Sequence, residues 1–450
     1  NKAVEIDDTY AQAYLGRGEA LRELEDYPGA LTSYRRALDI EQQLPRAYNG
    51  RGVCYREMGQ IDLALNDFNN AIELDRRDPE IAANLGNLLV NQVQDPVNGL
   101  RILDKAIELD PENAEAYRDR GWGHTQLRQF DEAEADLKKA IELEPENFEF
   151  HSTLANILLF QEEYEPSVEY LSNAIQYYEP EESSDPETYV NGYLMRAESY
   201  LKLALEPELG DEERQNLYEK VIADAEAVLE EYPDTYPQSG QALYRKGVAL
   251  RMMEKYSEAI KALTDAIQLI PPGESSAYAA DAHRKLGICW HLQDEDRLAR
   301  GHFQDAAALN YEDPLPHLWI GFTYMREGDY RAALESYSQA ISKQSNFALA
   351  YVNRGLAYMR LEEYQRAVDN FNDAIRHEPT EASHFYKRGK AYMNLEEYEK
   401  AFNSFHLATL NDDQYTAAFE AAAAALRELG RSTLADEYES RAAELREMSE

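Results

Sequence analysis

The sequence predicts an all-α protein built as a row of helix–turn–helix units, and three observations predict it. Alanine, leucine, glutamate and tyrosine are plentiful, while glycine (22) and proline (17) are modest, a composition that suits helices. Two stretches, "RGLAYMRLEEYQRAVDNF" from Arg354 to Phe371 and "RGKAYMNLEEYEKAFNSF" from Arg388 to Phe405, agree at most positions and lie 34 residues apart. At 450 residues the chain exceeds the usual size of one core, which leaves several domains or one extended array.

The two stretches share Gly355/Gly389, Tyr358/Tyr392, Tyr364/Tyr398, Ala367/Ala401 and Phe371/Phe405, followed by Ala374/Ala408, and Pro379 closes the first of them. Taken in chain order, the first unit carries Tyr14, Gly18, Ala30, Tyr34 and Ala37, and the second Tyr48, Gly52, Tyr55, Ala64, Phe68 and Ala71. The third has Gly86, Ala106 and Pro111, with one extra residue near "QDPVNG". The fourth has Tyr117, Gly121, Phe130, Ala133, Ala140 and Pro145, and the fifth Leu154, Ala155, Tyr164, Leu171 and Ala174. The sixth is irregular, with Tyr193, Ala197 and Tyr200, then an inserted "LEPELGDEERQN" before a second helix reaching Ala227 and Pro233. The seventh has Gly247, Tyr256, Ala259, Ala266 and Pro271, the eighth Gly287, Trp290, Ala299, Phe303 and Ala306. The ninth has Gly321, Tyr324, Tyr330, Ala333, Tyr337 and Ala340, and a degenerate twelfth follows the quoted pair with Phe419, Ala423, Ala435 and Ala442.

This order of small, aromatic and closing residues resembles the tetratricopeptide repeat, a helix–turn–helix unit of 34 residues, over almost the whole chain. The resemblance implies a right-handed superhelical solenoid of about twelve units whose first helices line the concave side. Packing explains the residue types. Small side chains let paired helices approach and aromatics fill the gaps, and no hairpin buries both its apolar faces alone. The expected organisation is the end of a truncated upstream repeat over 1–10, a block of about five repeats over 11–181, and a block of about six over 182–415, the first of them irregular. A degenerate repeat and a solvating cap then occupy 416–450. The partial repeat at the start, with Ala3 at the closing position, leads us to expect a longer protein upstream and a true terminus downstream. Glu179–Thr188 and Pro271–Ser276 read as solvated turns, "YPDTYPQSG" as a milder one.

A formal charge of −40 repels phosphate backbones and anionic lipid, so neither nucleic acid nor membrane is expected as the main partner. No stretch approaches 18 apolar residues, the length a membrane span needs. Cys54 and Cys289 are the only cysteines and share one repeat position, which speaks for buried packing thiols and a reducing, cytoplasmic setting. His151, His283 and His317 occupy an aromatic packing position and His124 the Tyr position, and no His pair has i,i+4 spacing with a carboxylate set, so neither metal nor cofactor is expected. No phosphate-cradling glycine loop occurs and carboxylates are everywhere, so no catalytic residue is assigned.

With the packing Gly or Ala numbered eight, positions two, five, six, nine, twelve and thirteen form one stripe of the first helix. In the ninth unit this is Leu315, Leu318, Trp319, Phe322, Met325 and Arg326; in the tenth, Leu349, Val352, Asn353, Leu356, Met359 and Arg360. Basic residues border it: Arg245 and Arg251, Arg284 and Lys285, and Lys387 and Lys390 with Tyr386 between. The expected partner is a protein or peptide with apolar anchors and acidic flanks, bound against Trp319 and Phe322 and oriented by Arg284, Lys285, Arg326, Arg360, Lys387 and Lys390. Cover by another segment of the same longer chain is weighed equally with an external partner. Asn84, Asn87 and Trp122, with Asn49 and Asn91, make a second, more polar surface without a regular ladder. Repeats of this family that clamp chaperone carboxylate tails need a set that Asn353 and Lys387 match but Leu318, Phe322 and Ser383 do not, so that activity is not expected. The function expected is a non-enzymatic interaction scaffold; the alternative is a regulatory or substrate-recognising arm of a kinase, protease or glycosyltransferase whose catalytic domain precedes Asn1.

Overall fold

Most turns within a hairpin are three residues long and close the same way. The N–H of Glu363 reaches back to the Tyr358 carbonyl at 3.0 Å, and Glu397 does the same to Tyr392 at 3.0 Å. The geometry needs one residue with positive φ, which is Gly59 in one hairpin and Gly328 in another, but a non-glycine such as Glu362 (φ 61) or Glu396 (φ 62) in most. Some first helices open on carboxylate or amide caps: Asp78 Oδ1 accepts from Glu80 N at 2.9 Å and Asn113 Oδ1 from Ala116 N at 2.9 Å.

The computed structural model describes residues 9–178, 186–233, 237–269 and 276–449. The expected half-repeat before Thr9, the turn at 179–185 and the Pro271 turn lie outside these residues, as does the centre of "YPDTYPQSG". Among the described residues there are twenty-four α-helices and no strand. The chain divides into two compact units, Asn1–Val228 and Leu229–Glu450.

The first unit holds the hairpins α1 (Ala11–Glu23) with α2 (Tyr27–Ile40), and α3 (Pro45–Glu57) with α4 (Ile61–Leu74). Next come α5 (Pro79–Leu88) with α6 (Pro96–Leu109), and α7 (Ala114–Gln126) with α8 (Phe130–Leu143). Then α9 (Phe148–Phe160) pairs with α10 (Tyr164–Tyr177), and α11 (Pro186–Leu203) precedes α12 (Asp211–Glu231), whose last turn belongs to the second unit. The extra residue of the third repeat is absorbed by a π-helical turn, Leu89–Val93, at the end of α5. Half of the sixth repeat's insertion is helical and lengthens α12 to 21 residues.

The second unit holds α13 (Gln238–Met252) with α14 (Tyr256–Leu269), α15 (Ser276–Leu292) with α16 (Asp296–Leu309), and α17 (Leu315–Glu327) with α18 (Tyr330–Lys343). It continues with α19 (Ala348–Arg360) and α20 (Tyr364–His377), α21 (Ala382–Asn394) and α22 (Tyr398–Asn411), and α23 (Thr416–Glu428) and α24 (Ser432–Ser449). The core runs along the hairpins as the repeat dictates. Ala64, Ala133, Ala259, Ala299, Ala333, Ala367 and Ala401 are fully buried. Gly355 lies so close to Phe371 that an added Cβ would stand 2.7 Å from the ring, and Gly389 repeats this on Phe405 at 2.5 Å.

Candidate functional site

Within each unit the first helices of successive hairpins touch: α1 meets α3, α3 meets α5, α5 meets α7, and α15 meets α17. No comparable contact joins successive second helices among the described residues. The first helices therefore lie on the inner side of each stack, and the stripe singled out above is on them.

The structure corrects that stripe at two positions. Leu318 is 2 % exposed, packed with Ala333, Tyr337 and Ala350, and Val352 is 4 % exposed, packed with Ala367, Phe371 and Ala391. Position five points between neighbouring first helices, so neither side chain is presented to a partner. Trp319 is half-buried: it stacks on Phe303 at 5.8 Å and meets Phe322 edge-on at 5.3 Å, and Phe322 in turn meets Tyr337 at 6.0 Å. Trp319 joins two hairpins and Phe322 packs within its own, and both keep part of their surface in the open. Met325, Met359, Leu356 and Leu315 are half-buried in the same way, and Leu349 is 46 % exposed.

Two predicted cations are occupied by this chain's own acids. Arg326 grips Asp296, with Nε 2.6 Å from Oδ2, and its Nη1 lies 2.7 Å from Asp294. Arg284 pairs with Asp281 one turn away. Asn353 Nδ2 donates to its own helix at Leu349 O, 2.7 Å away. Lys285 and Lys387 are half-buried, and burial holds the Lys387 ammonium below the usual lysine range. Tyr386 is packed against Phe405 and Tyr415, with the Lys390 Nζ 5.6 Å from its ring centre. Arg360 and Lys390 are exposed.

In the first unit the asparagines are more connected than their spacing announced. Asn84 Nδ2 donates to Asn49 Oδ1 (3.1 Å), Asn49 Nδ2 to Glu80 (3.1 Å), and Asn87 Nδ2 to Asp119 Oδ2 (2.8 Å). Beside them a cavity of about 390 Å³ is lined by Asn91, Arg118, Asp119, Trp122, Thr153 and Asn156. The π-helical turn carries Asn91, whose Nδ2 lies 3.4 Å from Asp119. Arg118 joins Asp119 and Glu149, each at 3.0 Å.

Sequence reasoning missed a recurring arginine one residue before the packing small residue. Arg51 pairs with Asp67 (2.7 Å), Arg120 with Asp136 (2.6 Å) and Arg196 with Asp224 (2.6 Å), each from first helix to second. Arg354 meets Asn370 (2.7 Å) and Arg388 meets Ser404 (3.1 Å) at the same place. Each guanidinium also lies over the aromatic ring one turn earlier: Tyr48, Tyr117, Tyr193, Tyr351 or Phe385. Four of the five reach back to the preceding second helix, as Arg120 does to Asp104 at 2.9 Å. The available signal was a spacing of 16 residues from Arg to Asp, Asn or Ser in four of the five units; the sixth repeat, with its insertion, stretches it to 28.

The thiols of Cys54 and Cys289 are wholly buried, and burial pushes both up to about 11, so neither is a ready nucleophile at neutral pH. His151 packs between Tyr170 and Tyr177 with Nε2 2.8 Å from Pro145 O. His283 instead faces His302 and Asp305 across the α15–α16 hairpin. Among the described residues no helix is long and apolar enough to cross a membrane.

A row of helix pairs with a shared inner face defines an α-solenoid of the interaction class. Models of the tetratricopeptide repeat match residues 45–78, 18–56, 323–362, 114–147, 348–381 and 212–274. The chain belongs to the tetratricopeptide repeat family. Tetratricopeptide repeat protein 13 of Homo sapiens is 27% identical over 115 residues, 26% of this chain and 13% of that protein, so the chain spans a small part of this relative. Among solved structures, yeast Tom70 is 14% identical with a TM-score of 0.42, covering 96% of both chains. PilF of Pseudomonas aeruginosa is 17% identical with a TM-score of 0.42, covering 55% of this chain and 98% of its own. YrrB, described as a TPR protein with an unusual peptide-binding site, is 23% identical with a TM-score of 0.34, covering 42% of this chain and 95% of its own.

Proposed function

We propose that the chain is a non-enzymatic scaffold that holds a peptide, a helix or a partner domain against its first helices. Family and fold support the scaffold role. The partner's chemistry rests on one observation in the second unit. Apolar side chains recur there in register on successive first helices, with Phe322 and Leu356 in one row and Met325, Met359 and Met393 in another. All five remain half-buried with no further layer over them among the described residues. Methionine rows adapt to irregular apolar partners. Arg360, Lys387 and Lys390 flank these rows, so the favoured segment carries apolar anchors with acidic neighbours. The asparagine-lined cavity beside Trp122 offers main-chain hydrogen bonding to a second segment in the first unit.

Trp319 packs between hairpins and Phe322 within its own, so their replacement would alter packing as well as capture. The cleaner test selects peptides from a random displayed library with the full chain and measures their affinity for Leu349→Ser and for Arg360→Glu/Lys390→Glu. The expected result is an acidic, apolar consensus whose binding falls at least about tenfold in both variants while helicity is unchanged. Selected peptides that bind both variants as tightly as the original chain would remove this face from the account.

A further inference from the structure

The eighth repeat departs from the arginine pattern in a coordinated way. Where five other units place an aromatic, an arginine three residues on and, most often 16 residues after that, an acidic or polar partner, this one places His283, Leu286 and His302. Leu286 is buried at 1 % exposure and brings no charge. His283 Nδ1 lies 3.3 Å from His302 Nδ1, and 3.6 Å from Asp305 Oδ2. One ligand atom from each of the three residues falls within 4.8 Å of the others. Two imidazole nitrogens and a carboxylate thus converge where other hairpins hold a guanidinium.

We propose that His283, His302 and Asp305 form a binding site for a divalent transition-metal ion of the zinc type. The metrics fit. With Zn–N bonds of about 2.0–2.1 Å, two ligands on a tetrahedral ion stand about 3.3–3.4 Å apart. The two ring nitrogens are already at that separation, and the carboxylate oxygen needs only a small rotamer adjustment. Imidazole with carboxylate suits zinc-like ions better than magnesium or calcium. On binding the ion, each imidazole would offer its Nδ1 lone pair and carry its proton on Nε2. Asp305 is 60% exposed, which leaves the ion a path from solvent and an open fourth position for water. The ion replaces the missing guanidinium as the cation linking α15 to α16.

The test is zinc titration of the full chain after chelator treatment, followed by calorimetry with excess magnesium present to occupy surface carboxylates, and by cobalt absorption for the ligand set. One saturable site per chain is expected. Its affinity should fall at least about tenfold in His302→Gln and in Asp305→Asn, with unchanged circular dichroism. The exposed position of Asp305 makes its variant safe for folding. Absence of saturable zinc uptake overturns the proposal, and so does uptake unchanged in either variant. The outcome is independent of the scaffold reading, which uses other residues.

Discussion

At the scale of single residues, one aromatic position separates fit from misfit. Phe68, Phe303, Phe371 and Phe405 fill it in four units, whereas Tyr34 and Tyr337 bring a hydroxyl into the same closed space. The Tyr337 hydroxyl is buried without a hydrogen-bond partner among the described residues, and burial drives its acidity far down. Tyr337→Phe is therefore expected to stabilise the second unit by about 1 kcal/mol, measured by urea unfolding. The small position obeys the opposite logic. Gly355→Ala, whose Cβ would press on Phe371, should destabilise by about 1–3 kcal/mol even though alanine favours helix. Gly301→Ala, with nothing within 4 Å, should gain about 0.5–1 kcal/mol in the same assay. These positions were legible because repetition exposes them. Leu318 and Val352 were misread because a helical stripe gives an azimuth only. Which edge of that stripe the next helix covers depends on its approach, which one unit's sequence does not encode.

At the scale of elements, turns and cross-links set the tolerance of each hairpin. Glu362 holds a left-handed conformation that glycine adopts freely, so Glu362→Gly is expected to stabilise the hairpin by about 0.5–1 kcal/mol, read as a raised thermal midpoint. Arg120 ties α7 to α8 through Asp136 and to α6 through Asp104. Arg120→Leu leaves the buried Asp136 carboxylate with only the His124 imidazole, 3.8 Å away, beside it. It should cost roughly 3 kcal/mol, the low end for a buried pair because the guanidinium keeps some solvent contact. A companion Asp136→Leu should restore most of that loss in a double-mutant cycle. The ladder escaped sequence reading because carboxylates are everywhere along the chain, so no Arg–Asp pair stood out. The histidine cluster escaped because its ligands come from two helices, while the spacing test looked along one.

At the scale of the whole molecule, charge dominates. A net charge of −40 opposes compaction, and most of the buried cations are already committed to internal partners. Raising sodium chloride from about 0.02 M to about 0.5 M should therefore raise the thermal midpoint by a few degrees, read by circular dichroism. The class of fold was fully legible, since a pattern repeated along 450 residues averages out local ambiguity. One irregularity outweighs its size. By winding its surplus residue into Leu89–Val93, the third repeat keeps its neighbours while spacing Gly86 and Gly121 one step wider than the 34 that separate Gly355 and Gly389. Any strand laid along that row of helices with a strict beat of its own falls out of phase there, and a ligand that spans the slip must carry a matching hiccup.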